Sequence, residues 1–426
     1  MAKKKEVLSE GTSLPSVFDL VKKVDDSAEI IAESAYSNVK EWIPTGSYIL
    51  NACMSGDLFK AIPTGRVVTL EGDSGVGKSF LACSICREAQ KMGYTPIYMD
   101  SEGAIDSAFV SRLGVDPSKL IIKQVSTIAE TSQFIANICA SLQEQEDKYG
   151  EHQKVIMVLD SLGNLTSDKE RDDIMSGNNK RDMTKAQEIK ALFRVNATPL
   201  ARLQIPLIVN NHVYAAVGAY VPTNIGAGGS GIKYNSSITI ELSAAKLDDK
   251  DNEAAAAKKQ GADTTTKNGV LVTAKPKKSR MCRPYKVKFQ IPYFKKPNAF
   301  CGLETFMNWE NAGVVRGNIL DEKTFNKLSP SEQDKLTPYG FEFNGEKLWA
   351  NPKETARSIV CKHLGCAVPI SEFFTEKVFT DEFLHYLNDN VIHPMFDLPD
   401  QNSFDDIKEI ENLIKVGEDI RPESEN

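Results

Sequence analysis

Gly72, Gly77, Lys78 and Ser79 stand at the spacing of a loop built to hold phosphate. The stretch Val67 to Phe80 reads VVTLEGDSGVGKSF, a short apolar run followed by glycine, four residues, glycine, lysine and serine. Glycines let the backbone curl, so that N–H groups of Gly72, Asp73, Ser74, Gly75, Val76 and Gly77 can point at phosphate oxygens. Lys78 brings a point charge for the β- and γ-phosphates, and the Ser79 hydroxyl suits Mg²⁺. A helix opening at Lys78 and Phe80 adds its N-terminal partial positive charge. With a strand before it and a helix after it, this pattern predicts a nucleoside-triphosphate site rather than a tight structural turn.

Three further strand ends supply the groups such a site needs. KVIMVLDSLGNL (154–165) is an apolar strand ending in Asp160, placed to hold the hydration shell of the metal. PIYMDSEGAID (96–106) ends in acids, and Glu102, two residues beyond the strand, is the candidate to orient and polarise an attacking water, with Asp100 structural. LIVNNH (207–212) ends in Asn211 and His212, either of which could bond a γ-phosphate and report its loss. A long loop follows, with five glycines between 218 and 231 and with Tyr214, Tyr220 and Lys233. It suits a threaded, flexible polymer, with side chains against bases and N–H groups against phosphates. A second loop, 166–194, has mixed charge, and its Arg181, Lys185, Lys190 and Arg194 lead into and along a helix. Lys275, Lys277, Lys278, Arg280 and Arg283 crowd one strand–turn–strand, where a cation could be offered to the phosphates of a neighbouring subunit.

The elements that must position these groups alternate. Strands are expected at Val67–Glu71, Pro96–Asp100, Leu120–Lys123, Val155–Asp160, Leu207–Asn211, Ser237–Leu242, Val270–Ala274 and Tyr285–Ile291. Helices are expected at 78–92, 106–113, 127–147 and 183–203. Apolar strands alternating with amphipathic helices imply an α/β fold with a mostly parallel sheet covered on both faces. Residues 1–42 read as a helical arm, helical over 13–42, able to pack on a neighbouring subunit or on its own domain. Residues 43–299 read as the nucleotide core and 300–396 as a small separate α+β domain, while 245–268 reads as a polar, mobile hairpin loop.

The chain has 426 residues, 41 % hydrophobic and 26 % charged, as in ordinary soluble proteins. No segment is apolar enough to span a bilayer, and no apolar run follows the basic start, so no membrane role is expected. The cysteines read as free thiols in a reducing cytoplasm. The tail 397–426, with ten acidic and three basic residues, carries the whole net charge of −7. It can compete with nucleic acid for the basic surface of a neutral body, or simply be solvated.

Taken together, IPTGSYILNACMSG (43–56), TGRVVTLEGDSGVGKS (64–79), IYMDSEGAID (97–106), MVLDSLGNL (157–165), DMTKAQEIKALFR (182–194), VNNH (209–212), GAGGSGIKY (226–234) and KKSR (277–280) resemble the RecA-type recombinases, most closely their phage UvsX-like branch. The resemblance runs from about Glu41 to Ile291. It implies a RecA-like ATPase core, a helical filament on single-stranded DNA with ATP and Mg²⁺ between subunits, pairing with homologous duplex DNA, and strand exchange. It also implies an ssDNA-binding protein and a loading mediator as partners. By the same resemblance Lys78 and Ser79 hold phosphates and metal, Asp160 holds the metal, and Glu102 activates water. Phe109 stands near the adenine and Asp106 can accept from its amino group. His212 stands where bacterial members have a glutamine sensor. Lys278 and Arg280 match cations offered across the subunit interface. The stretches 166–181 and 213–231 match the two DNA-binding loops, which brings in Gly228 and Gly229, and Arg194 matches a backbone-contacting position. A ring-forming replicative helicase shares the core fold but usually carries a separate N-terminal domain, and a regulatory paralogue would bind ATP and DNA without exchanging strands.

Overall fold

The computed structural model describes residues 16–397, except 33, 35, 177–183, 216–223, 227–229, 247–268 and 294–295. The elements run α1 (Val17–Val24), β1 (Trp42–Ile43), α2 (Tyr48–Ser55), β2 (Ile62–Pro63), β3 (Val67–Gly72), α3 (Lys78–Lys91), β4 (Thr95–Asp100), α4 (Ser107–Arg112), β5 (Ile121–Gln124), α5 (Ile128–Tyr149), β6 (Val155–Asp160), α6 (Asp168–Met175), α7 (Lys185–Arg202), β7 (Leu207–Ala215), β8 (Asn224–Gly226), α8 (Ser230–Asn235), β9 (Ser236–Lys246), β10 (Gly269–Ser279) and β11 (Val287–Pro292). Among the described residues, nine strands build the large sheet in the order β11-β10-β9-β3-β7-β6-β4-β5, with β8 on β7. The strands from β9 to β5 pair in parallel, and β10 and β11 close one side antiparallel.

Central strands are apolar throughout because both faces are covered. Every residue of β6, VIMVLD, is buried. Val68, Leu70, Val158, Ile208 and Ile240 join one core with α2 and α3. Val67, Met157, Leu159, Leu207 and Val209 join a second core with α5 and α7. Burying each such side chain contributes about 1.5–3 kcal/mol. Helix starts follow local chemistry: Thr127 caps α5 by accepting from the Glu130 N–H at 3.1 Å, and Gly150 ends it in the left-handed region.

Residues 314–369 add a five-stranded antiparallel sheet, with a small core of Phe341, Leu348, Ala350 and Val360. The chain then returns to the large domain. Phe373, Phe379, Phe383, Leu387 and Phe396 belong to the same apolar core as Ile49 to Met54 of α2. Phe300 stacks on Tyr48 at 5.5 Å and on Phe379 at 4.9 Å. No helix among the described residues is long and apolar enough to cross a membrane.

Four local expectations are corrected. Among the described residues, the arm is helical over Val17–Val24 alone, because Asp25 turns the chain by accepting from both the N–H and the hydroxyl of Ser27, and no helix follows over Ile30 and Ile31. In the loop after Asp160, Ser167 accepts from the Glu170 N–H at 2.9 Å and opens α6. The strand at 207 does not stop at Asn211 but runs to Ala215 and pairs antiparallel with β8, so the Gly-rich segment begins as a hairpin. Lys275, Lys277 and Lys278 lie within β10, not in a turn. The segment read as a mobile hairpin loop falls, over 247–268, outside the described residues.

Candidate nucleotide site and its neighbours

Parallel strands end on one edge of a sheet, and in open α/β sheets the crevice beyond their carboxyl ends is where ligands bind. Register sets the neighbours here. Gly72 of β3 lies beside His212 of β7, and Asp100 of β4 beside Asp160 of β6. Four distant sequence segments thereby meet at one edge.

The phosphate loop leaves β3 at Gly72, where an added Cβ would sit 2.6 Å from the Leu242 carbonyl oxygen of β9, so only glycine fits against the neighbouring strand. Gly77 opens α3 at φ 99°, in the left-handed region that glycine adopts without strain. Asp73, Ser74 and Gly75 are exposed at the crest, while Val76 is buried and anchors the loop in the core. Lys78 is buried and donates to the carbonyls of Gly72 at 2.8 Å and Asp73 at 2.9 Å. Burial lowers its pKa, against the opposing charges of Asp160, Glu102 and Asp73.

Ser79 donates to Asp160 Oδ2 at 2.6 Å. A hydroxyl and a carboxylate in contact are the hard oxygen donors Mg²⁺ takes, so these residues fit that ion. Tyr98, fully buried on β4, donates to the same Oδ2 at 2.6 Å. Burial first and the Asp160 charge second push its phenol well above its ordinary pKa, which keeps it a neutral donor. Reading the sequence alone missed Tyr98, whose role depends on β4 lying beside β6 in the sheet.

Glu102 Oε1 bonds His212 Nε2 at 2.8 Å and accepts from the Ser161 hydroxyl. Their side chains are 26 % and 20 % exposed. Burial would raise the Glu102 carboxyl, but the bonds from Ser161 and His212, with the charges of His212 and Lys78, outweigh it and hold the pKa below the ordinary value. Asp100 accepts from the N–H groups of Glu102 and Gly103 at 2.9 and 2.8 Å, so it shapes the turn that presents Glu102. Ser161 also escaped the sequence reading.

Beside the loop lies a cavity of about 510 Å³, lined by Gly75, Gly77, Phe80, Phe109, Arg112 and Tyr293 among others. Three aromatic rings, Phe80, Phe109 and Tyr293, line this one cavity and suit a planar base. Tyr293, just past β11, was not anticipated. Asp106 caps α4 by accepting from the Phe109 N–H at 2.7 Å and does not line the cavity. It sets where Phe109 stands.

The strand that carries His212 continues into Tyr214 and Ala215, whose backbones pair with β8. Arg194 is exposed on α7 and Lys233 on α8, and Gly231 of α8 packs against Lys190 of α7. Arg181, Tyr220, Gly228 and Gly229 lie outside the described residues, and of Tyr214 only the backbone is described. Lys278 donates to the carbonyls of Lys233 at 2.6 Å and Tyr234 at 3.2 Å, at the end of α8. Its pKa is lowered, by burial first and by Arg280 second, and Arg280 itself is exposed. Within the single subunit neither cation meets the Lys78 cluster.

The RecA N-terminal domain family model matches residues 21–293, well over half of the chain. The chain is 28 % identical over 225 residues to the "Recombination and repair protein" of Enterobacteria phage T4, covering 52 % of this chain and 55 % of that one. It is 28 % identical over 267 residues to the "Protein RecA" of Fusobacterium nucleatum, with 62 % and 63 % covered. The "Protein RecA" of Thermus aquaticus is 26 % identical over 281 residues, with 65 % and 72 % covered. The chain thus spans between about half and two-thirds of the length of the first two relatives. A phosphate loop at the edge of a parallel sheet, the carboxylates beside it in the expected chain order, and this match together place the chain in the RecA N-terminal domain family.

Proposed function

We propose that this chain is an ATP- and single-stranded-DNA-dependent recombinase, which forms a helical filament on one strand, pairs it with a homologous duplex and exchanges strands. The observation that carries the reading is the strand β7. Its His212 touches Glu102 on the nucleotide side, and three residues later it becomes the base of the Gly-rich hairpin at Ala215. Lys78 and the loop N–H groups bind phosphates, and Ser79 and Asp160 hold Mg²⁺, which neutralises phosphate charge when bound. Glu102, kept ionised by its neighbours, orients and deprotonates water at Oε1 or Oε2. Phe109, with Asp106 fixing its helix, and Tyr293 hold the base. Lys278 and Arg280 serve the nucleotide of the adjoining subunit.

Arg181, Arg194, Tyr214, Tyr220, Gly228, Gly229 and Lys233 form the DNA path on this reading. The arm 1–42 packs on a neighbouring subunit, in keeping with the exposed apolar face of α1, where Val17 and Val24 are 77 % and 89 % exposed. The sheet of residues 314–369 is a small appended unit with its own core, while 370–396 packs back onto the nucleotide core, and 397–426 is an acidic tail. An ssDNA-binding protein and a loading mediator are its expected partners, in the cytoplasm of a cell or of an infected host.

The test is ATP hydrolysis with single-stranded DNA, with duplex DNA and with neither, followed by imaging of the assemblies. Stimulation by single strands and open helical filaments are expected. Hydrolysis indifferent to DNA, or closed rings, would overturn the recombinase reading. Glu102→Gln is expected to lower turnover by about 10²–10⁴-fold while keeping ATP-dependent DNA binding. If that variant binds DNA equally with and without ATP, the link through β7 is wrong.

A further inference from the structure

Glu71 is the last residue before the phosphate-loop glycine Gly72, and it is fully buried. A carboxylate there needs a partner, since an unpaired buried charge is strongly destabilising. The partner comes from β10, two strands away. The Lys277 ammonium lies 3.4 Å from Glu71 and 3.0 Å from Glu241 of β9. On its other side Glu71 meets the Asn211 amide at 3.5 Å. Lys277 sits at a break in register. Pro276 pairs with Ile240 and Lys278 with Thr239, so Lys277 is the extra residue of a β-bulge. A bulge re-aims the side chains that follow it. Lys277 is an exposed residue, yet its side chain is only 25 % exposed because it turns in to the two carboxylates. Lys278, the next residue, leaves toward the end of α8.

We propose that Lys277 is a positioning residue: its ammonium, held between Glu71 and Glu241, pins the bulge of β10 and so sets the direction in which Lys278 and Arg280 reach the nucleotide of the adjoining subunit. This rests on the reading that those two cations act across the interface. The competing role is local. Lys277 would only neutralise Glu71 and keep its own subunit's phosphate loop in place. The two roles fall on different nucleotides, which makes them separable. A pinning role damages the neighbour's site, and a local role damages the subunit's own.

The experiment mixes subunits on single-stranded DNA. Lys277→Met is expected to bind ATP as wild type does in the absence of DNA. Alone in filaments it is expected to hydrolyse on the order of 10²-fold more slowly, the scale of a misplaced catalytic group. Glu102→Gln subunits keep their own cations but do not turn over. In an equal mixture, Lys277→Met nucleotides that face Glu102→Gln subunits regain intact cations, and hydrolysis returns to about a quarter of the wild-type rate for random head-to-tail order. No recovery in that mixture, or a wild-type rate for Lys277→Met alone, would overturn the proposal. Lys278→Ala mixed with Glu102→Gln is the control. If Lys278→Ala is not rescued, the cross-interface reading itself fails; if it is rescued and Lys277→Met is not, only the pinning role fails. Should Lys277→Met not fold, Glu71→Met with Lys277→Met removes the anchor without stranding the fully buried charge of Glu71 and runs through the same mixtures.

Discussion

Replacing Tyr98 by phenylalanine removes one hydroxyl and leaves the ring, so packing is kept and a single bond is lost. That bond is short, 2.6 Å to Asp160 Oδ2, and both groups are buried, Tyr98 fully and Asp160 at 3 % exposure. A hydrogen bond to a charged group is worth about 1.5–3 kcal/mol. For a domain of this size each kcal/mol moves the midpoint by about 2–4 °C, so Tyr98→Phe is expected to melt roughly 3–12 °C lower. The functional effect is larger in kind. Asp160 keeps only Ser79 among its two hydroxyl donors, and its carboxylate is no longer fixed from β4. Groups that orient a metal ligand from behind typically matter by about 10–100-fold in metal affinity. The assay is DNA-stimulated ATP hydrolysis titrated with Mg²⁺, beside a thermal melt. The expected result is a Mg²⁺ midpoint raised by about 10–100-fold with turnover recovering to within a few-fold at saturating metal. A lower melting point with an unchanged Mg²⁺ midpoint would refute the orienting role of Tyr98.

Two further outcomes follow from the site. Burial would raise Glu102, yet Ser161 and His212 hold it below its ordinary value of 4.5, so its base form persists below that pH and is lost as pH falls through the lowered value. Ser161→Ala or His212→Ala is therefore expected to move the acidic limb of kcat to higher pH, and a limb that stays put would show that another group sets it. In the cavity beside the loop, Phe109→Ala and Tyr293→Ala are each expected to raise KM for ATP by about 2–10-fold with kcat kept, from a stacking contribution of about 0.5–1.5 kcal/mol. An unchanged KM in both would place the base elsewhere.

Much of this site was legible because it sits where sequence signals are strongest. A phosphate loop is local, and Asp160 and Glu102 follow apolar runs whose length already marks buried parallel strands. What was not legible depends on register or on the path of the chain in space. Tyr98 matters because β4 lies beside β6, and Tyr293 because the end of β11 comes back beside Phe109. The position of Lys277 at a bulge, and its pairing with Glu71 206 residues earlier, has no local signature. Nor does the return of Phe373 to Phe396 onto α2, since a run of aromatic residues looks the same whether it closes its own core or another. The helix of the arm ends at Val24 for a local reason that was readable: an Asp at position 25 with a Ser two residues on is a turn as well as a helix end.

The groups that would bind ligands here already have partners within the chain. Lys78 is satisfied by the carbonyls of its own loop, and the Ser79 hydroxyl by Asp160. Each contact would have to be exchanged when nucleotide and metal enter, so the net gain at these positions is a difference between two satisfied states and not the full strength of a charged bond. The same holds for Lys278, which spends its ammonium on the end of α8 in the single subunit. For Lys278 to reach a neighbour's nucleotide it must release those carbonyls, and they belong to the helix that closes the Gly-rich segment. Neither nucleotide nor DNA alone then collects the whole binding energy. On the proposed reading, the nucleotide would draw Lys278 off α8, and DNA would hold α8 once it is released. A filament built on that exchange would bind each ligand more tightly in the presence of the other, by one and the same factor.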